Sequence, residues 1–575
     1  MSLIVLHGLF AVINSYFSLS LYQSKLKDFH YKDSLMKPKY SVGFALSLML
    51  FLGLFLSITP IVQAHSDSYA SKLPSSLNPS DVQPCITVRQ VHIEGVALFN
   101  LIEPKRINEW KRLIEGKCVN DSALIDYAEL ITSELEQAGY ATSYLFYPEQ
   151  SFSFGVLKAT LVAGRVANIT YQDTAHGDRS LSNAFPVTNG QVFNLRLVEQ
   201  GLYNLQNTSL IPYNIYLVPD DNETQLIVER TKERAFKGLF SIESLKLDGS
   251  LNNSVDNIFM LANPLLLNDF FYTDISHDFT KETNNKGINS NAISVGFFYS
   301  LPYQYWLFST YGGYQESQSK DSIDETVLLL EQRSRILSLD AKYIIRRMQN
   351  SLTTLSFGSQ VQTLDTFLSH QRLKTQGRLA SYVMLGLEHQ IDFSQGHLTL
   401  SLNYKQGTDW FGANAHQITG LDKPQIYQLS IAAQRSIVWL KQPIYHQYEM
   451  DIQLSRSKLD NLLEQGVLIG KLGLSGFGNS DDDFNMGDNN LTLKNELGWM
   501  TPWKGTQLYT SLDLGTTSND RAGFWHENLL LGVRAGTRGW LGSVAYHFFV
   551  EAPVWKTESM IKNQFGGGVE LSFGY

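Results

Sequence analysis

Two cysteines, Cys85 and Cys118, are the residues of this 575-residue chain best suited to react with each other. Two thiols are too few for a zinc site, and in an exported protein an isolated pair reads first as a disulfide, with two buried free thiols as the alternative. Asp481, Asp483 and Asn485 have the alternate oxygen spacing of a calcium loop. The sixth position is Met486 and the twelfth Thr492, so the sharp glycine turn and the bidentate glutamate are both missing, and a solvated acidic loop fits better. The 13 histidines are scattered, and no phosphate loop, nucleophile elbow or His-Glu-x-x-His motif stands in the chain. Lys342, Arg346 and Arg347 suit a lumen or rim lining better than a ligand site. The residue types therefore predict no enzyme, no metal and no cofactor. A formal net charge of −9 argues against nucleic acid, whose phosphates need a basic surface.

The elements that must position these residues fall into three parts. Residues 1–64 read as a targeting segment with its start at Met36. Lys37 and Lys39 supply positive charge, Val42 to Val62 an apolar core, and Val62-Gln63-Ala64 a cleavage site that makes His65 the mature terminus. An uncleaved membrane anchor is the alternative, because the apolar run approaches the ~20 residues a bilayer requires. The apolar stretch from Leu3 to Leu21 is best explained by a misassigned start codon. Residues 65–84 then form a linker.

Residues 85–164 and 165–234 read as two small β-α-β modules. In the first, Val88, Val91 and Ile93 mark a strand closed by Gly95. Leu124, Ile125, Ala128, Ile131 and Leu135 mark a helix from Asp121 to Ala138, capped by Asn120 or Asp121 and ended by Gly139. The second has a strand at Val166 to Tyr171, a helix at Leu197 to Leu205, and strands at Tyr213 to Val218 and Gln225 to Glu229.

From residue 235 the hydrophobic period becomes two. Leu398, Leu400, Leu402 and Tyr404 share one strand face, and Val569, Leu571, Phe573 and Tyr575 share another. With 28 Tyr, 32 Phe and 9 Trp in the chain, the aromatic fraction reaches 12%. No mature segment offers the roughly 18 consecutive apolar residues of a membrane helix, so strands must either pack as sandwiches, as in a secreted adhesin, or close into a barrel in lipid. Closure satisfies every backbone group in hydrocarbon. The fold class expected is thus two α+β modules followed by an all-β transmembrane barrel over residues 235–575, with about 16 antiparallel strands. Leu571, Phe573 and Tyr575 would form its terminal assembly signal.

At this point the residues resemble a known family, the two-partner secretion transporters of Gram-negative bacteria, that is, the haemolysin and haemagglutinin secretion or activation proteins. Pro84-Cys85, Val91-His92-Ile93-Glu94-Gly95, Gly116-Lys117-Cys118, Gly139-Tyr140-Ala141-Thr142-Ser143 and Gly164-Arg165-Val166 resemble the family's first POTRA domain. Phe193-Asn194-Leu195-Arg196 and Glu199-Gln200-Gly201-Leu202 with Leu205 resemble its second. Asn263-Pro264-Leu265, Leu267-Asn268-Asp269, Leu301-Pro302-Tyr303 and Tyr305-Trp306 are similar to its first barrel strands. The resemblance implies an outer-membrane protein with periplasmic POTRA domains. It implies an unfolded, haemolysin-like or haemagglutinin-like exoprotein as partner, together with outer-membrane lipid and the barrel-assembly machinery, and a monomer. A passive porin or a barrel-assembly factor is the runner-up reading.

The resemblance also assigns sites. Leu474-Ser475-Gly476-Phe477 matches the tip of a loop folded back into the barrel, where relatives carry Val-Arg-Gly-Tyr or Val-Arg-Gly-Phe, and Asp513 matches the strand aspartate that the family's arginine pairs with. This chain has Ser475 in place of that arginine, so a carboxylate without its usual partner is expected, tolerable only if hydrated or hydrogen-bonded. Phe193, Arg196, Leu197, Tyr213, Ile215 and Leu217 are expected to line a client-binding groove, which an extended chain would enter by strand addition.

Overall fold

The computed structural model describes residues 85–575 except 153, 173–178, 209, 221, 231–234, 248–249, 283–288, 324–325, 414–422, 440–441, 460–462, 469–472, 478–485, 504, 520–527, 557–564 and 575. The targeting segment, the linker, the acidic run Asp481 to Asp483 and Tyr575 lie outside the described residues. The chain divides into two units that meet between Arg165 and Val166.

The first unit holds β1 (Ile86–Thr87), β2 (Gln90–Glu94), α1 (Pro104–Ile114), β3 (Cys118–Val119), α2 (Asp121–Gln137), β4 (Tyr144–Phe146) and β5 (Val156–Val162). Strand β5 is central, parallel to β2 and antiparallel to β4. Helix α2 starts where Asn120 Oδ1 accepts from the Ala123 N–H at 2.9 Å. It ends at Gly139, whose φ of 99° only glycine adopts without strain, and there the Tyr140 N–H turns back to the Leu135 carbonyl. The sequence reading missed α1, although Pro104 stands in its first turn and Ile107, Trp110 and Ile114 recur at helical spacing toward the core. Cys85 and Cys118 form a disulfide that fastens β1 against β3. Closing a separation of 33 residues restricts the unfolded chain, so replacing both cysteines by alanine should lower the stability of this module by roughly 3–4 kcal/mol. Faster proteolysis of the module in membrane-embedded full-length protein would register that loss.

The second unit opens with β6 (Arg165–Tyr171), α3 (Arg179–Ala184), α4 (Leu195–Leu205), β7 (Tyr213–Asp220) and β8 (Glu223–Arg230). The sheet order is β6-β8-β7, which leaves β7 at an edge. Val166, Phe185, Phe193, Leu205, Leu226 and Val228 form the core beneath the helices.

Sixteen antiparallel strands then close into a barrel. They are β9 (Phe236–Leu247), β10 (Ser250–Ala262), β11 (Phe270–Glu282), β12 (Asn289–Tyr303), β13 (Trp306–Ile323), β14 (Thr326–Arg347), β15 (Ser351–Leu368) and β16 (Arg378–Phe393). The second half comprises β17 (Gly396–Thr408), β18 (Gln425–Trp439), β19 (Gln442–Ser455), β20 (Asn489–Met500), β21 (Thr506–Ser518), β22 (Asn528–Leu541), β23 (Val544–Lys556) and β24 (Gly566–Gly574). Strand β24 pairs back onto β9, from Gly567 opposite Lys246 to Gly574 opposite Leu239, so the sheet has no open edge. Alternation decides which way each side chain points. On β12, Ile293, Val295 and Phe297 face outward while Ser294 is buried within; on β21, Leu512 faces outward and Asp513 inward. An apolar exterior over a polar interior is the pattern of a barrel solvated by lipid. Among the described residues, no helix is long and apolar enough to cross a membrane.

Candidate functional site

Between β19 and β20, the tetrad Leu474-Ser475-Gly476-Phe477 lies buried against the inner wall of the barrel. Ser475 presents two donors to one carboxylate oxygen. Its backbone N–H reaches Asp513 Oδ2 at 3.0 Å, and its hydroxyl donates to the same atom. Both residues are buried, at 1% and 4% exposure, so neither group has water as a ready substitute. The carboxylate that loses the family's arginine is therefore hydrogen-bonded by neutral donors, which is the condition for tolerating it inside the lumen.

Two glycines make this seat. Gly476 takes a φ of 81°, and a Cβ there would lie 2.3 Å from the Ala552 carbonyl carbon on β23. Gly532 stands opposite Asp513 on β22, and a Cβ there would fall 1.7 Å from the Ser475 carbonyl oxygen. On either side of the polar latch, Leu474 and Phe477 pack with Leu468 and Leu530. Beyond it on the wall, Glu551 accepts from Arg534 Nε and Nη2 at 2.9 and 2.7 Å, so that pair satisfies itself without the loop. Sequence reasoning found the tetrad and Asp513. It did not find Gly532, whose role shows only once β22 is placed beside β21.

The root of the loop is fixed separately. Asp488 Oδ1 accepts from the Leu459 N–H at 3.1 Å and from Gln465 Nε2 at 2.7 Å, and Gly466-Val467 pairs with Met486-Gly487 as a short ribbon.

The second module offers the other candidate surface. Tyr216, Leu217 and Val218 on the edge strand β7 are exposed at 49%, 40% and 42%. Of the expected groove residues, Phe193 and Tyr213 lie in the module core, Leu197 and Ile215 pack against it partly exposed, and Leu217 is open to solvent. Arg196 is turned back onto Glu199, with both carboxylate oxygens at 3.0 Å. Leu197 and Ile215 thus rest on a core that includes Phe193 and Tyr213, and Leu217 follows Ile215 on the same face of β7.

The same module is joined to the barrel by side-chain amides, which sequence reasoning did not anticipate because asparagine and glutamine carry no periodic signal. Asn183 Nδ2 donates to the Leu267 and Pro302 carbonyls at 3.0 Å each. Gln200 and Asn204 donate to the Gln304 carbonyl at 3.1 and 2.6 Å, and Arg347 Nε donates to Gln200 Oε1 at 2.8 Å. Arg347 therefore sits at the rim, stacked on Tyr203. Changing Asn204 to leucine strands the buried Ala184 carbonyl and leaves the Gln304 carbonyl with Gln200 as its side-chain donor, and should loosen the junction by about 1–3 kcal/mol. Hydrogen exchange in the turn around Gln304 would rise if so.

Comparison with known proteins bears on this arrangement. Residues 222–539 match the family described as Haemolysin secretion/activation protein ShlB/FhaC/HecB. Residues 86–164 match the POTRA domain of ShlB type, and residues 165–219 match a POTRA domain. The outer membrane transporter CdiB of Escherichia coli O6:K15:H31 (strain 536 / UPEC) is 27% identical over 516 residues, covering 86% of this chain and 84% of the relative. Solved structures of CdiB from Escherichia coli and from Acinetobacter baumannii share the fold, with TM-scores of 0.76 and 0.75 and identities of 21% and 18%. Each comparison covers 94% of this chain and 100% of the solved one.

Proposed function

The chain belongs to the haemolysin secretion/activation family, a family of two-partner secretion transporters in the outer membrane, and from that premise we propose how it captures and passes its secreted exoprotein. Its POTRA modules stand in the periplasm and its barrel in the outer membrane. An unfolded client adds itself as a strand to the edge of β7, where backbone groups at the end of the sheet supply affinity and the surface around Leu197, Ile215 and Leu217 supplies choice. Domain bounds of 85–164, 165–234 and 235–575, behind a cleaved segment ending at Ala64 and a linker over 65–84, complete the reading.

The observation that carries the proposal is that one unit of the chain joins an exposed edge strand to a closed barrel against whose wall Ser475 is held at Asp513 by hydrogen bonds alone. A loop held by hydrogen bonds can leave and return. Export needs no catalytic residue and no nucleotide if folding of the client outside prevents its return, so the chain acts without enzymatic chemistry or cofactor. It works as a monomer surrounded by lipid. The barrel-assembly machinery inserts it, reading the outward-facing Leu571 and Phe573 with Tyr575. The haemolysin-like or haemagglutinin-like class of client follows from the family. Photo-crosslinking from position 217 in living cells tests the capture step. A crosslink to one large exported polypeptide is expected, and a crosslink pattern identical to that from an exposed position on α1 would contradict it.

A further inference from the structure

The tip is not the loop's sole contact with the wall. Glu464, ten residues before Leu474 in sequence, accepts a hydrogen bond from the Tyr382 hydroxyl at 2.7 Å through Oε1. The Lys405 ammonium lies 3.8 Å from the centre of the Tyr382 ring and attracts the Glu464 carboxylate. Leu463 packs on Tyr382 and Ala380, and the Glu464 carbonyl accepts from Gln453 Nε2 at 2.9 Å. These partners stand on β16, β17 and β19, whereas the tip rests on β21, β22 and β23. Four strands of the ring, β17 to β20, separate Tyr382 from Asp513. The loop is thus held at two distant stretches of wall. At the tip the protein supplies neutral donors to a wall carboxylate. At Glu464 the charge belongs to the loop itself and, in a partly buried setting, meets a hydroxyl and also a wall cation, so that a charge pair is added to the charge-assisted hydrogen bond.

We propose that Glu464 is the charge-bearing anchor that positions the loop across the lumen of this chain, with Tyr382 and Lys405 as its receiving pair. The inference rests on the reading of the barrel as a conduit, and it assigns to Glu464 the pairing of a loop charge with a wall charge that a tip with Ser475 lacks. Glu464, Tyr382 and Lys405 are positioning residues, since they act on the conduit through the loop.

Full-length protein reconstituted in planar bilayers tests it, with heat-modifiable migration confirming that each variant has folded. Glu464→Gln, Lys405→Met and Tyr382→Phe should each raise the fraction of time spent in the open state, by about tenfold for Glu464→Gln. Glu464→Asp, which keeps the charge, should fall between the parent and Glu464→Gln. Combining Glu464→Gln with Lys405→Met should open the pore no further than either change alone. Should Lys405→Met fail to assemble, Tyr382→Phe removes only one oxygen and still decides the question. Unchanged opening in Glu464→Gln and Tyr382→Phe, beside clear conductance when residues 463–486 are deleted, would overturn the anchor and leave the conduit standing. Additive effects in the double variant would overturn the pairing. No conductance even without the loop would remove the conduit reading, and the anchor with it.

Discussion

Gly532→Val is expected to yield a barrel that assembles in normal amounts yet cannot seat its loop. The added Cβ alone would occupy the place of the Ser475 carbonyl oxygen, at 1.7 Å, and a β-branched side chain fills more of the same space. The obstacle is backbone, so no rotamer change relieves it. Strand pairing is unaffected, because valine suits a strand better than glycine does. The tip must therefore lift off Asp513, losing both hydrogen bonds and the packing of Leu474 and Phe477 against Leu468 and Leu530. Each lost hydrogen bond to a charged group is worth about 1.5–3 kcal/mol, enough together to reverse a loop equilibrium by two or more powers of ten. Cells carrying the variant should become sensitive to large antibiotics that the outer membrane normally excludes. Ser475→Ala, which keeps the backbone donor, should give a weaker form of the same phenotype. Unaltered sensitivity with properly folded Gly532→Val protein would show that the tip does not close the lumen.

The second large effect is expected at the edge of β7. Tyr216→Pro removes a backbone donor and distorts the strand that a client would extend, and Leu217→Asp places a charge on the exposed apolar surface beside it. Secretion of the client should fall on the order of tenfold in either variant, the equivalent of about 1.4 kcal/mol of capture energy. Protein level and heat-modifiable migration should stay normal, because Leu217 is exposed and the module core lies under Phe193, Leu205 and Val228. Secretion at the parental level from both variants would remove β7 from the capture step.

How much of this could be read beforehand depends on whether a residue's role is periodic or relational. Strand faces are periodic. Alternation alone groups Leu402 and Val569 each on one strand face with their alternate neighbours, and the barrel turns both outward. The helix from Asp121 was legible because a capping asparagine, a 3–4-residue apolar repeat and a terminal glycine all agreed. Helix α1 carried the same kind of signal and was overlooked, for its apolar positions are separated by Lys105, Arg106, Lys111 and Arg112. Relational roles left no such trace. Ser475 looked like the loss of a latch when only its lost charge was counted, because the reading could not include a backbone N–H aimed at Asp513. The amides at Asn183, Gln200 and Asn204 find their carbonyls in turns more than 80 positions away or in the facing helix, and nothing local marks them. Glu464 is one acidic residue among many in the sequence until the barrel sets Tyr382 and Lys405 before it. Phe193 and Tyr213 show the converse, since a motif shared with relatives drew attention to residues whose work is to fill a core.

The measurement that tests the central claim most directly compares culture supernatant and surface proteins of a strain lacking this chain with those of its complemented form. Dedicated export predicts that one large protein disappears from the surface, that its degraded remnants collect in the periplasm, and that complementation restores it. A general loss of outer-membrane proteins would contradict the account in favour of barrel assembly, and a surface changed in nothing but this protein would contradict it in favour of a passive pore.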